Sequence, residues 1–132
     1  MSLIIDESET FEVRIGYKTE EGKDVFSILR AEEVAVAETG LETFTFRKPN
    51  WSDSRKMLSS AIYIDSVGGA KLDPYKFMDA RLRVLIKNWS LKDKKGERLS
   101  LTEENIDRMS LGLVSCLSRA LDEKVPLGSM AT

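Results

Sequence analysis

The stretch that decides the fold spans residues 72–125 and reads LDPYKFMDARLRVLIKNWSLKDKKGERLSLTEENIDRMSLGLVSCLSRALDEKV. It holds two apolar patterns of helical period with a short charged turn between them. Asp73 and Pro74 open the first pattern, because an N-cap aspartate accepts backbone N–H bonds and proline fits the first helical position. We therefore predict a helix over 74–90 with an apolar side made of Tyr75, Met78, Leu82, Leu85 and Trp89.

The second half of this stretch predicts another helix over about 103–124. Thr102 is a favourable N-cap residue, and Leu101 stands where it can pack onto Ile106 as a hydrophobic staple. Residues 92–97, which read KDKKGE, form the polar turn between the two helices. The apolar side of the second helix consists of Ile106, Met109, Leu113, either Cys116 or Leu117, and Ala120.

Residues before this stretch change to a period of two, which is typical of strands with one buried face. Apolar and polar side chains alternate from Phe11 to Tyr17, and Val25–Leu29 can return beside them as the second strand of an N-terminal hairpin. A further strand is predicted near 41–47. Residues 31–37 suit either a short helix or a strand, and their alternating valines favour the strand.

Pro49 ends the strand region, since proline cannot donate to a ladder of hydrogen bonds. A helix over about 52–65 follows, with Asp53 at its positive end and Val67-Gly68-Gly69-Ala70 closing it. The order of strands followed by helices predicts an α+β fold, in which a small antiparallel sheet packs against three C-terminal helices.

Length and composition limit the architecture to one ordinary globular domain. The chain has 132 residues with 42% hydrophobic and 32% charged side chains, enough for one core. We assign residues 10–125 to a single domain, 1–9 to a flexible N-terminal tail and 126–132 to a frayed C-terminal tail. Residues 1–40 carry ten acidic and four basic side chains, whereas 41–132 carry twelve and sixteen, so the two parts have opposite net charge.

The residue types that most catalytic and metal sites require are missing or rare. There is no histidine, which removes the commonest general base and metal ligand, and one cysteine leaves no disulfide framework. We therefore predict that the protein is not an enzyme and binds no metal or other cofactor. No apolar run approaches the roughly 20 residues of a membrane span, so a membrane is not a predicted partner.

A cluster of basic residues surrounds Trp89 and suggests a nucleic-acid contact as an alternative function. The turn within 87–98 carries Lys92, Lys94 and Lys95, and basic side chains beside an aromatic ring are typical of such contacts. Trp89, however, falls on the apolar side of the predicted helix, which indicates a place in the core. Nucleic acid is thus the less favoured partner.

Two segments resemble the small tail assembly chaperones and related morphogenesis proteins of tailed bacteriophages. The first is TFTFRKPNWSD over 43–53, a strand that ends in Arg-x-Pro-x-Trp before a helix. The second comprises LIKNW over 85–89 and KKGERLSLTEENI over 94–106. In those proteins, a helix with an aromatic end meets a glycine-containing turn and then the start of the next helix.

This resemblance implies a passive, protein-binding role in the host cytoplasm, with a phage tail or baseplate protein as the partner. A structural baseplate or neck subunit, located in the virion tail, is the alternative that it leaves open, as is a homo-oligomer. The candidate contact residues are Arg47 and Trp51, together with the lysines of the basic turn. Trp51 has a second interpretation, because it could instead pack onto the sheet as a staple at the start of its helix.

Overall fold

The computed structural model describes residues 3–29 and 40–125, and the ambiguous segment 31–37 and the predicted C-terminal tail 126–132 lie outside them. Six strands and four helices follow one another in these residues. The strands are β1 (Thr10–Glu20), β2 (Lys23–Leu29), β3 (Gly40–Arg47), β4 (Ile62–Ile64), β5 (Ala70–Leu72) and β6 (Ile86–Trp89). The helices are α1 (Trp51–Ala61), α2 (Pro74–Leu85), α3 (Glu103–Asp107) and α4 (Leu111–Lys124).

The α+β class is confirmed, and so are the N-terminal hairpin and the third strand. The main sheet is antiparallel throughout and has the strand order β2-β1-β3-β6. Its covered face carries Val13, Ile15, Phe44 and Phe46, all of them buried, as the period of two predicts. A second sheet pairs only β4 with β5.

The core lies between the covered face of the sheet and the helices. Phe77, Leu82 and Leu85 face it from α2, and α4 contributes both Cys116 and Leu117. The predicted side of the first C-terminal helix was therefore wrong at Tyr75, which is exposed, and it missed Phe77. Tyr75 and Met78 are three positions apart, a spacing that fits a helical pattern, but in the structure Phe77 takes the inward position.

The predicted helix over 74–90 is wrong after Leu85, because β6 begins at Ile86 and joins the sheet beside β3. No glycine or proline marks this break. Tertiary contacts determine it: Ile86 pairs with Phe46, and Trp89 pairs with Phe44 across the ladder. Trp89 is buried in the core, as expected, but from a strand. The helix with an aromatic end that the phage resemblance implied is consequently absent here.

Two further helix boundaries differ from the prediction. The helix over 52–65 ends at Ala61, where the β-favouring run Ile62–Ile64 starts a hairpin instead. The helix over 103–124 is two helices, because the hydroxyl of Ser110 accepts the Leu113 N–H and starts α4 anew. The predicted caps Thr102 and Asp73 are both confirmed: the Thr102 hydroxyl accepts the Asn105 N–H, and the Asp73 carboxylate accepts the Tyr75 and Lys76 N–H groups.

Cys116 is fully buried, and this gives a simple solution test of the core. Burial raises the pKa of the Cys116 thiol, an effect that nearby Arg119 only partly opposes. Because the thiolate is the reactive form, both burial and the raised pKa slow alkylation. We expect iodoacetamide at neutral pH to label the thiol only when the protein unfolds. Rapid labelling of the native protein, at the rate of a small free thiol, would contradict this packing.

Candidate protein-binding surface

Trp51 is the first residue of α1, and its side chain projects into solvent. The helix begins there because Asn50 caps it: the Asn50 side chain accepts the Asp53 N–H at 2.9 Å, and the Asp53 carboxylate accepts the Asn50 N–H at 3.2 Å. The Trp51 side chain remains 73% exposed. The Trp51 ring is therefore exposed, and it does not pack onto the sheet as a staple.

Arg47, the other candidate in this segment, is engaged inside the molecule. Its guanidinium donates to both Asp53 carboxylate oxygens, at 2.9 and 3.2 Å, and to the Val84 carbonyl at 2.8 Å. Val84 lies in the final turn of α2, where a carbonyl has no partner within the helix, and Arg47 supplies that partner. Arg47 thus joins the end of β3 to the start of α1 and the end of α2. Its position is structural.

The basic turn lies at the opposite end of β3. Lys92, Lys94 and Lys95 are all exposed, while Asp93 holds the turn by accepting the Lys95 and Glu97 N–H groups at 2.8 and 2.9 Å. The β3–β6 ladder brings the start of this turn beside Thr43, on the side of β3 away from Arg47, because the Ser90 N–H donates to the Thr43 carbonyl. Arg47 is four residues further along the strand, about 13 Å away. The candidate residues therefore form two separate groups.

Trp89 cannot serve the basic turn as a surface for base stacking. The side chain is 2% exposed, and its indole N–H donates to the Leu99 carbonyl at 2.8 Å. Arg98, the other residue that would flank it, donates to the Trp89 carbonyl at 2.8 and 3.1 Å. Nucleic-acid binding would therefore depend on the lysines alone.

This arrangement gives a testable expectation for the nucleic-acid alternative. We expect no salt-dependent binding of duplex or single-stranded DNA or RNA at low ionic strength, and no difference when Lys92, Lys94 and Lys95 are all changed to glutamate. Fluorescence anisotropy with labelled oligonucleotides measures both. Binding that falls steeply with salt and disappears in the triple variant would establish the alternative instead.

Sequence reasoning missed the most distinctive surface feature, the β4–β5 hairpin over 62–72, which we call the apolar arm. Asp65 shapes its turn by accepting the Val67 and Gly69 N–H groups at 3.1 and 2.9 Å, and Gly68 adopts a φ of 84° that favours glycine. The run Ile62-Tyr63-Ile64 followed by Val67-Gly68-Gly69 is a hairpin signal. The preceding helical pattern concealed it.

The apolar arm exposes hydrophobic side chains along its length. Ile64 is 68% exposed and Val67, in the turn, is 89% exposed, with Ile62 and Tyr63 each about half exposed. Residues directly opposite in an antiparallel pair share a face, so Ile62 and Ile64 lie on the face of Leu72 and Ala70. One face of the arm is therefore entirely apolar. Clustered exposed side chains of this kind mark interaction sites.

A groove of about 430 Å³ adjoins the base of the arm, with Leu72, Tyr75 and Met78 among its lining residues. Arg81 forms part of its wall. The Arg81 side chain is buried, and it donates to Asp122 at 2.7 Å and to the Ser118 carbonyl at 3.0 Å. These contacts tie α2 to α4. The groove therefore has a firm polar wall beside the exposed ring of Tyr75.

Charged residues of both signs lie on and beside the arm. Asp65 on the arm and Asp73 at the start of α2 accept backbone N–H groups with their carboxylates. Lys71 on β5 and Lys76 in the first turn of α2 are exposed, with no carboxylate within ion-pair distance among residues 3–29 and 40–125. The arm is therefore distinguished by its apolar side chains and not by a net charge.

Comparisons with protein-family models, with curated proteins and with solved structures found no match to this chain. Within the described ranges, no group of three or more acidic or cysteine side chains is arranged to hold a metal ion. The helices there are also too short or too polar to cross a membrane.

Proposed function

We propose that this protein has a non-enzymatic, protein-binding role in bacteriophage tail or baseplate assembly. The observation that supports the proposal is the apolar arm. Its Ile64 and Val67 side chains are exposed, although hydrogen bonds within the arm hold its backbone in place. A partner that covers these side chains would remove apolar area from water, which is the main favourable term in protein association. Trp51, at the other end of α1, adds a second exposed contact.

The assignment to tail assembly rests on the resemblance of residues 43–53, where Arg47, Pro49 and Trp51 follow the strand. The roles of these residues in the structure are compatible with that assignment. Arg47 holds the entrance of α1 in place, and Trp51 is presented to solvent from it. In a chaperone, such a surface would cover aggregation-prone parts of a tail protein until assembly. In a virion subunit, it would remain in a permanent contact.

Co-expression with candidate partners tests the proposal. The tagged protein is produced with the tail-tube, tape-measure or baseplate proteins encoded beside it, and we expect it to capture one of them. The double variant Ile64→Asp with Val67→Asp should lose that capture. Leu111→Asp is the matched control, because Leu111 is 78% exposed and lies at the start of α4, away from the arm.

Failure to capture any tail component, together with a gene outside any phage or prophage cluster, would refute the proposal. Mass spectrometry of purified particles separates its two forms. Absence of the protein from finished particles indicates a chaperone, whereas presence at stoichiometric copy number indicates a virion subunit.

A further inference from the structure

A pocket of about 590 Å³ lies between one end of the main sheet and the segment around the basic turn. Its lining residues come from β1, β2, β3, this segment and the start of α4, and they include Tyr17, Phe26, Glu42, Leu91, Lys92 and Leu113. Ligand pockets in proteins have volumes of roughly 300–1,000 Å³, and a cavity of about 150 Å³ holds a benzene ring. The pocket is therefore large enough for a small aromatic molecule with a side chain.

Two aromatic rings form the floor of this pocket. Tyr17 and Phe26 are partners across β1 and β2, and their ring centroids are 6.4 Å apart. A glycine lies against each ring: a Cβ on Gly40 would be 2.3 Å from the Tyr17 ring, and a Cβ on Gly112 would be 2.9 Å from the Phe26 ring. The absence of a side chain at these two positions therefore makes room for the aromatic floor.

Glu42 supplies a hydrogen-bond acceptor in the same pocket. Its carboxylate accepts the Ser90 hydroxyl, which is oriented by the Thr43 N–H that donates to it at 2.8 Å. The Tyr17 hydroxyl lies 3.5 Å from the other Glu42 oxygen, too far for a strong hydrogen bond. No cation of residues 3–29 and 40–125 lies within ion-pair distance of Glu42. The carboxylate therefore has capacity for a further donor.

Charges of both signs line the pocket besides Glu42, so a net charge does not select its ligand. Lys92 and Lys94 contribute two positive charges, and Asp24 and Asp93 contribute two negative charges. The distinguishing feature is instead the aromatic floor beside an acceptor with unused capacity. An aromatic ring that carries a hydrogen-bond donor is complementary to both.

We propose that this pocket binds a small aromatic molecule that carries an amine or a hydroxyl group. The ring packs against Tyr17 and Phe26, and the amine or hydroxyl donates to the Glu42 carboxylate. A group that only accepts hydrogen bonds cannot make this contact, and an anion is also repelled by the carboxylate. The inference goes beyond the proposed function and is independent of it, because it uses no residue of the apolar arm.

Four small molecules with the same phenyl ring test this inference on the full chain. They are 2-phenylethylamine, 2-phenylethanol, the methyl ether of 2-phenylethanol, and phenylacetate. We expect the amine and the alcohol to bind with a Kd of about 1 mM. The ether and phenylacetate should bind about tenfold more weakly, because each lacks the donor to Glu42. Titration followed by ¹H–¹⁵N NMR measures the affinities, and the shifted amides should lie within 15–26, 40–43 and 90–96.

Protein variants test the two parts of the pocket separately. Glu42→Ala should weaken binding of the amine and the alcohol about tenfold, to the level of the ether. Glu12→Ala is the matched control, because Glu12 is an exposed residue on the opposite face of the sheet from Val13, and it should leave the affinities unchanged. Gly40→Ala should weaken binding of all four molecules, since its Cβ displaces the Tyr17 ring.

Several outcomes would overturn the inference. These are equal affinities for the four molecules, tighter binding of phenylacetate than of the amine, and no amide shift with any of them at about 10 mM. Unchanged affinities in Glu42→Ala, or shifts confined to residues outside the pocket, would overturn it as well. The comparison of the four molecules uses the unaltered protein, so a folding defect in a variant cannot produce the expected result by itself.

Discussion

Replacing Trp89 by alanine is expected to lower the free energy of unfolding by about 3–5 kcal/mol. The ring is 2% exposed and packs in the core from the end of β6, opposite Phe44. Truncation leaves a cavity and also removes the donor to the Leu99 carbonyl, which now bonds the indole N–H at 2.8 Å. Because small domains are stable by only about 5–15 kcal/mol, this change removes a large part of the total stability.

Trp89→Phe separates the two contributions. It keeps much of the buried ring but has no N–H donor, so we expect a loss of about 1–3 kcal/mol, most of it from the unpaired carbonyl and a smaller cavity. Urea unfolding followed by circular dichroism measures both variants. An alanine variant as stable as the wild type would contradict the placement of Trp89 in the core.

Asp53→Ala is expected to lower the free energy of unfolding by about 3 kcal/mol, because it breaks a partly buried ion pair and a helix cap together. Asp53 is 3% exposed, and its carboxylate accepts both Arg47 donors and the Asn50 N–H. Without it, the Arg47 guanidinium retains only the Val84 carbonyl as a partner among the described residues. The start of α1, including the presentation of Trp51, should loosen as a result.

Asp79→Ala is the matched control, since it removes an ion pair with Arg83 that lies on the surface of α2. Exposed pairs of this kind contribute less than about 1 kcal/mol. Thermal unfolding of the two variants side by side gives the comparison. Equal effects of the two substitutions would show that the junction of Arg47 and Asp53 has no special structural role.

Local patterns in the sequence predicted the elements whose stability is itself local. The period of two identified the hairpin and β3, and the side chains at Asp73 and Thr102 identified two helix starts, because capping depends on residues within one turn. The continuation of α2 into β6 could not be predicted in this way. Residues 86–89 form a strand because they pair with β3, about 40 positions earlier in the chain.

The candidate site was predictable in part for the same reason. Trp51 directly follows Asn50, a favourable N-cap residue, and comes two residues after a proline, and this local context was enough to suggest an exposed contact. The contacts of Arg47 inside the molecule could not be predicted, because its partners, Asp53 and Val84, come together only in the folded chain. The apolar arm was missed because a helical pattern ran into Ile62–Ile64, although the β-favouring run and Gly68 were available signals.

Amide hydrogen exchange of the protein, alone and in complex with a captured tail protein, tests the central claim most directly. We predict that exchange slows on binding over residues 62–72, the apolar arm, whose Ile64 and Val67 side chains a partner would cover. Smaller protection is expected at the start of α1, near Trp51. Protection confined to the basic turn at 92–97, with the amides of the arm unchanged, would contradict the account.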